Sequence, residues 1–183
     1  LLEKGAEVDR AMNDGRTPLF VACWKGHVDA ARLLLDKRAE VDRADENCRT
    51  PLYVACWKGH VDAARLLLDK GAEVDRVDKK GMMPLYAACE SGHVDTARLL
   101  LEKGADVNQA NKNGETPLHI ACDQGHVDAA RLLLEKGAEV DRAMNDGRTP
   151  LFIACQNGRV DAARLLLNNG AEVDRAWDNG ATP

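Results

Sequence analysis

No run of apolar residues in the chain approaches the roughly 18 to 20 needed to cross a bilayer. No block of one charge sign appears either: 25 Lys and Arg are interspersed with 30 Asp and Glu, leaving a net charge of −5. The lack of a basic stripe argues against nucleic-acid binding, and the mixed charges predict a soluble surface. The opening Leu1-Leu2-Glu3-Lys4 lacks the basic, apolar and small-residue order of a signal peptide. These absences predict an intracellular, cytoplasmic protein with no membrane partner.

A disulfide framework is missing as well. Five of the six cysteines, Cys23, Cys56, Cys89, Cys122 and Cys155, recur every 33 residues and so occupy one structural register. Equivalent positions in a stacked array are more plausible as packing positions than as bridge partners. The expectation is buried thiols, kept reduced by the compartment.

What the chain has in abundance is one unit written several times. Thr-Pro-Leu starts at Thr17, Thr50, Thr116 and Thr149, Met83-Pro84-Leu85 fills the missing place, and Thr182-Pro183 ends the chain. All 15 glycines fall into three registers of the same period, represented by Gly15, Gly26 and Gly71.

Thr before Pro before an apolar run is a helix start, because the hydroxyl can cap open N–H groups and proline at the first helical position loses nothing. Pro18 to Lys25 therefore reads as a short helix ended by Gly26. Val28 to Lys37, rich in Ala and Leu, reads as a second helix, closed in other repeats by the Gly of Lys-Gly-Ala. The broken, polar stretch from Ala72 to Gly81 is a loop. Neither helix can bury its apolar face alone, so the units must stack. Arg38 and Cys48 stand where other repeats have glycine, and if φ stays positive there each costs roughly 1 kcal/mol. Met83 stands where the capping threonine belongs, forfeiting about 1 kcal/mol that Met83→Thr should restore.

Read together, Thr-Pro-Leu, the Gly-His step and Leu-Leu-Leu-x-x-Gly-Ala resemble the ankyrin-repeat family. The likeness runs through the whole chain and is closest over residues 111–143, with Thr116-Pro117-Leu118-His119 and Gly125-His126. Phe20, Tyr53, Tyr86 and Phe152 replace that first histidine elsewhere, which turns a polar contact into aromatic packing. The resemblance implies an all-α solenoid of stacked helix-turn-helix units with protruding β-turn, hairpin-like loops. Residues 1–183 form one array of about five and a half repeats, partial at both ends, as expected of a piece of a longer one. Residues 1–23 and 133–155 differ only at Val21 against Ile153, which points to recent duplication or to copied modules.

Cys and His recur together, as in Cys23 with His27 and Cys122 with His126. A zinc centre needs about four ligands on one point, and a glycine turn separates each pair, so packing is the favoured reading. Five equivalent cysteines also argue against a nucleophile, which needs one distinct environment with a base. Asp29 and Arg32, with their copies, are three apart and suit helix support. No cofactor, metal or catalytic residue is expected.

The resemblance places a partner-binding face on the loop tips and on the first-helix residues before Gly-His. In this sequence the tip residues are Arg16, Arg49, Lys79, Lys80, Met82, Lys112, Glu115 and Arg148. The first-helix residues are Trp24, Lys25, Trp57, Lys58, Glu90 and Asp123. The first half offers Trp beside Lys and Arg, the second half acidic and amide groups. Exposed, clustered Trp marks an interface, although solvated tips with locally packed indoles would give the same pattern. The expected function is a scaffold that binds another protein through the concave face. The alternative is an array whose uncapped repeat ends stack into rods or filaments.

Overall fold

A computed structural model of the protein describes residues 7–173. Short and longer helices alternate: α1 (Pro18–Trp24), α2 (Val28–Asp36), α3 (Pro51–Trp57), α4 (Val61–Asp69), α5 (Pro84–Glu90), α6 (Val94–Glu102), α7 (Pro117–Gln124), α8 (Val127–Glu135), α9 (Pro150–Gln156) and α10 (Val160–Asn168). Among the described residues there is no strand.

The helix starts follow the capping logic. The Thr17 hydroxyl accepts the Phe20 N–H at 3.2 Å, and Thr50 and Thr149 do the same for Tyr53 and Phe152. At the other end, Gly26 takes φ +71°, which lets the His27 N–H reach the Ala22 carbonyl at 2.9 Å. The second helices close by the same device, with the Ala39 N–H on the Leu34 carbonyl at 3.0 Å and Arg38 between them at φ +66°. Cys48 sits at φ +61° in its tip. Both substituted positions thus keep the left-handed backbone that the glycine registers imply.

The odd-numbered helices pack in one row and the even-numbered in another, each helix touching its own partner and its neighbours one repeat away. Leu52, Leu85 and Leu118 fill the seam from the first row, and Leu67, Leu100 and Leu133 from the second, all essentially inaccessible. Each such leucine contributes about 1.5–3 kcal/mol. Met83 belongs to this core at 1 % exposure and makes no side-chain cap. Its burial outweighs a lost cap of about 1 kcal/mol, so Met83→Thr is expected to be neutral or destabilising, a correction to the sequence expectation. Cys23, Cys56, Cys89 and Cys122 are buried, whereas Cys155 is exposed. The register buries its cysteine where a following first helix packs on it, and α9 is the last first helix of the described residues.

Two ladders tie the loops together, one of Asx side chains and one of tip backbone. Asp42 and Asp75 accept the Glu73 and Asp106 N–H groups of the next loop at 3.0 and 3.2 Å. Asn108 accepts that of Glu139 at 2.9 Å. At the tips, one turn closes from the Cys48 N–H to the Asp45 carbonyl at 2.9 Å, and the Asp45 N–H meets the Arg49 carbonyl at 3.0 Å. Neighbouring tips are then joined backbone to backbone: Glu46 donates to Asp14, Lys79 to Asn47, Lys112 to Lys80 and Asn145 to Asn113, at 2.9 to 3.2 Å. The hairpin-like loops therefore stand in a fixed row beside the first helices.

Candidate functional site: the face of the tips and first helices

Each repeat presents on this face one tip and the C-terminal end of one first helix. Trp24 and Trp57 occupy the same register on α1 and α3 and are half-buried, packed against a cluster of Phe20, Tyr53, Val54 and Ala87. They are therefore less exposed than the sequence suggests, and truncating either would strip packing as well as surface. Cations cover both rings: the Arg16 guanidinium and the Lys25 ammonium lie 5.3 and 5.5 Å from the Trp24 centroid, and Lys58 lies 4.2 Å from that of Trp57. Such pairs contribute about 0.5–1 kcal/mol at exposed sites, so they hold the lysines over the indoles without neutralising them.

The remaining site residues divide by whether the protein already occupies their polar groups. Arg16 pairs with Asp14, Arg49 with the buried Asp45 at 2.7 Å, and Arg148 with Asp146 at 2.8 Å. Lys112 donates to the Lys79 carbonyl at 2.6 Å. Glu115 accepts the Tyr86 hydroxyl at 2.6 Å and the Asn111 amide at 2.9 Å. Asp123 accepts from Asn157 and Gln124 at 2.5 and 2.6 Å. Lys79 and Lys80 are exposed, Met82 and Glu90 half-buried, and the seven ion pairs of the described residues include no charge from Lys25, Lys58, Lys79, Lys80 or Glu90.

Two adjoining hollows of about 310 and 400 Å³ lie between the tips and the first helices, and Lys79, Lys80, Met82 and Glu90 border both. The smaller is walled by Tyr53 and Trp57, the larger by Tyr86 and Glu115. Burial, followed by the nearby Glu115, raises the Glu90 carboxyl above its usual range. Burial likewise raises the Tyr53 hydroxyl, with Asp78 and Glu90 adding to the effect.

The histidines and cysteines serve the stack. His60 and His126 place Nε2 3.2 Å from the Trp24 and Glu90 carbonyls of the preceding first helix. A methyl group on Gly26 would come 2.7 Å from the His60 ring, which explains the Gly-His step: the glycine makes room for the next repeat's imidazole. Arg159 takes over that contact in α10's repeat, with Nε 2.8 Å from the Asp123 carbonyl. Burial pushes the Cys23 and Cys122 thiols up to about 12 and raises those of Cys56 and Cys89 as well. A protonated, enclosed thiol is a poor nucleophile and a poor metal ligand. Among the described residues no three His, Cys, Asp or Glu side chains gather as metal ligands do.

Sequence reasoning missed the organisers of this face. Asp45 accepts the Asn47 and Arg49 N–H groups, and Asp78 those of Lys80 and Met82, at 2.8 to 3.0 Å. The signal was present as Asx at one period, 45, 78 and 111, a pattern that fixes turns. Among the described residues no helix is long and apolar enough to cross a membrane.

A family model described as ankyrin repeats, three copies, matches residues 1–45, 42–111 and 106–176. A search of curated proteins finds no match. Ankyrin repeats are generally protein–protein interaction modules. With the match reaching from residue 1 to 176 and the paired helices stacked as described, the chain belongs to the ankyrin-repeat family.

Proposed function

We propose that the protein is a recognition scaffold, without a reaction of its own, that binds a partner protein through the concave face of tips and first helices. The observation that carries this is the pair of adjacent half-buried tryptophans, each with a cation on its ring, beside uncommitted Lys79 and Lys80. Trp is a frequent interface anchor, and lysines outside every ion pair favour a partner surface carrying Asp or Glu around an apolar or aromatic group. The contact residues are those named above, from Arg16 to Arg148.

Truncation of Trp24 or Trp57 would disturb Phe20 and Tyr53, so the cleaner test reverses charge. Extract of the source cells is passed over the immobilised parent and over a Lys25→Glu, Lys58→Glu variant. A protein retained by the parent alone, slowing hydrogen exchange in residues 13–25 and 46–58, is the expected result. Equal retention by both would remove this face from the interface.

End-to-end stacking is the second reading. Leu33 is 53 % exposed where Leu66, Leu99 and Leu132 are at most 6 %, and Val160 and Leu167 are 65 and 46 % exposed beside a hollow of about 510 Å³. Light scattering decides it: a mass that never rises with concentration ends the stacking reading.

A further inference from the structure

The smaller of the two hollows differs from its neighbours at one register. In three successive repeats the polar tip of the first-helix ring faces the residue 29 positions on, at the next tip. Tyr86 donates its hydroxyl to Glu115 at 2.6 Å, and His119 places Nε2 3.3 Å from the Arg148 carbonyl. Tyr53 meets Met82, whose side chain offers only a weakly accepting thioether. Tyr53 is 5 % exposed, yet among the described residues its hydroxyl has no hydrogen-bond partner, and the residue borders the hollow.

The carboxylates around this opening are committed except for one. Asp45 holds Arg49, Asp78 holds two backbone N–H groups, and Glu115 holds Tyr86 and Asn111. The Glu90 carboxylate, on a half-buried residue, accepts no hydrogen bond from the described residues and lies outside every ion pair. Glu115 and Asp78 add to the desolvation of this carboxylate, and Lys80 at the rim offsets part of it without forming an ion pair. A desolvated, unpaired charge is costly and attracts an opposite charge more strongly than a surface group does. Trp57 also lines the hollow.

We propose, building on the concave-face reading, that this hollow seats one basic side chain, Lys or Arg, from an extended segment of the partner protein, with Glu90 as its counter-charge. The Tyr53 hydroxyl then donates to a carbonyl of the same segment, and the aromatic wall covers the aliphatic stem. A volume of about 310 Å³, at the small end of ligand sites, suits a single side chain. Lys79 and Lys80 at the rim favour acidic residues on either side of the seated one. The recognised segment is a basic residue flanked by acidic ones.

Random dodecapeptides displayed on phage are selected on the parent chain, and the retained sequences are titrated against variants. The expected outcome is a Lys or Arg at one fixed position, with Glu90→Gln and the peptide's own Lys→Gln or Arg→Gln each weakening binding about tenfold. The double change should then cost little more than either alone, because both remove the same contact. Glu90→Gln removes a desolvated charge, so its denaturant midpoint should equal or exceed the parent's, which separates lost contact from lost fold. Peptides that depend on Trp24, Lys25 or Lys58 but carry no basic residue, or are indifferent to Glu90→Gln, overturn the hollow and leave the wider reading standing. Peptides that depend on no residue of the tip face overturn both.

Discussion

The second and fourth repeats solve the same packing problem and leave different surfaces behind. In the fourth, His119 is wholly buried, with Nδ1 accepting the Thr116 N–H at 3.1 Å and Nε2 3.3 Å from the Arg148 carbonyl. In the second, Tyr53 occupies the same register, Thr50 caps the helix unaided, and the hydroxyl stays open to a hollow. The His119 ring finds polar partners at both nitrogens, whereas the Tyr53 hydroxyl of the second repeat has none among the described residues and opens beside Trp57 and the Glu90 of the next repeat. The stack tolerates both because its stability comes from the leucine seam and the glycine steps, which the two repeats share. On the proposed reading, recognition uses the positions that the stack does not need.

The sharpest way to break that division is to crowd a shared position. A methyl group on Gly59 would lie 2.5 Å from the His93 ring at φ +71°, whereas one on Gly71 meets no atom within 4 Å at φ +88°. Gly59→Ala should therefore lose about 3 kcal/mol or more, from left-handed strain and overpacking together, and Gly71→Ala about 1 kcal/mol, from strain alone. Denaturant midpoints of the two variants read this directly, and equal losses would mean that the imidazole has room to move.

The fourth repeat's closure should appear as a pH dependence. Burial pushes His119 down to about 4, against about 6.5 in the unfolded chain. The unfolded state then binds the proton more readily, so the stability is fully present above about 6.5 and is lost as pH falls toward about 4. The loss reaches about 3 kcal/mol. His119→Phe, which copies Phe20 and Phe152, should remove this slope, so the parent-minus-variant difference in unfolding free energy should fall by about 3 kcal/mol as pH drops across that range. A difference that does not vary with pH would show that His119 is reached by water.

Smaller gains should come from the backbone that joins the first and second repeats. Arg38→Gly and Cys48→Gly relieve φ +66° and +61° and should each stabilise by about 1 kcal/mol in thermal or chemical unfolding. The smallest concerns Asp75, whose Oδ1 is buried without a hydrogen-bond partner and whose carboxyl is raised by that burial. Asn108, its counterpart, donates to the Gly137 carbonyl at 3.3 Å. Asp75→Asn can donate to the equivalent Gly104 carbonyl and should add up to about 1 kcal/mol near neutral pH.

Much of the scaffold was legible in the sequence because each feature carries a local signal. Thr-Pro starts, glycine closures and the period of 33 residues place all ten described helices, and the left-handed requirement at Arg38 and Cys48 follows from register alone. The inter-repeat ladders were not legible, since Asp42, Asp75 and Asn108 look like solvated loop residues until the next loop's N–H is placed on them. Met83 reads as a failed cap because its apolar contacts come from neighbouring repeats. The site was half legible: the tip and first-helix residues do share a face, but Arg49, Glu115, Asp123 and Arg148 are held by internal partners, while Glu90 and Tyr53 are not. For Glu115 and Asp123 that distinction depends on pairs 29 to 34 positions apart, Tyr86 with Glu115 and Asp123 with Asn157.

The division between stack and surface is tested most directly by one variant carrying Lys25→Ser, Lys58→Ser and Glu90→Gln, titrated with a peptide selected on the parent while its unfolding is followed in denaturant. The predicted result is a loss of affinity of about a hundredfold with an unfolding free energy within about 0.5 kcal/mol of the parent's. Full affinity, or an affinity loss matched by an equal loss of stability, would contradict it.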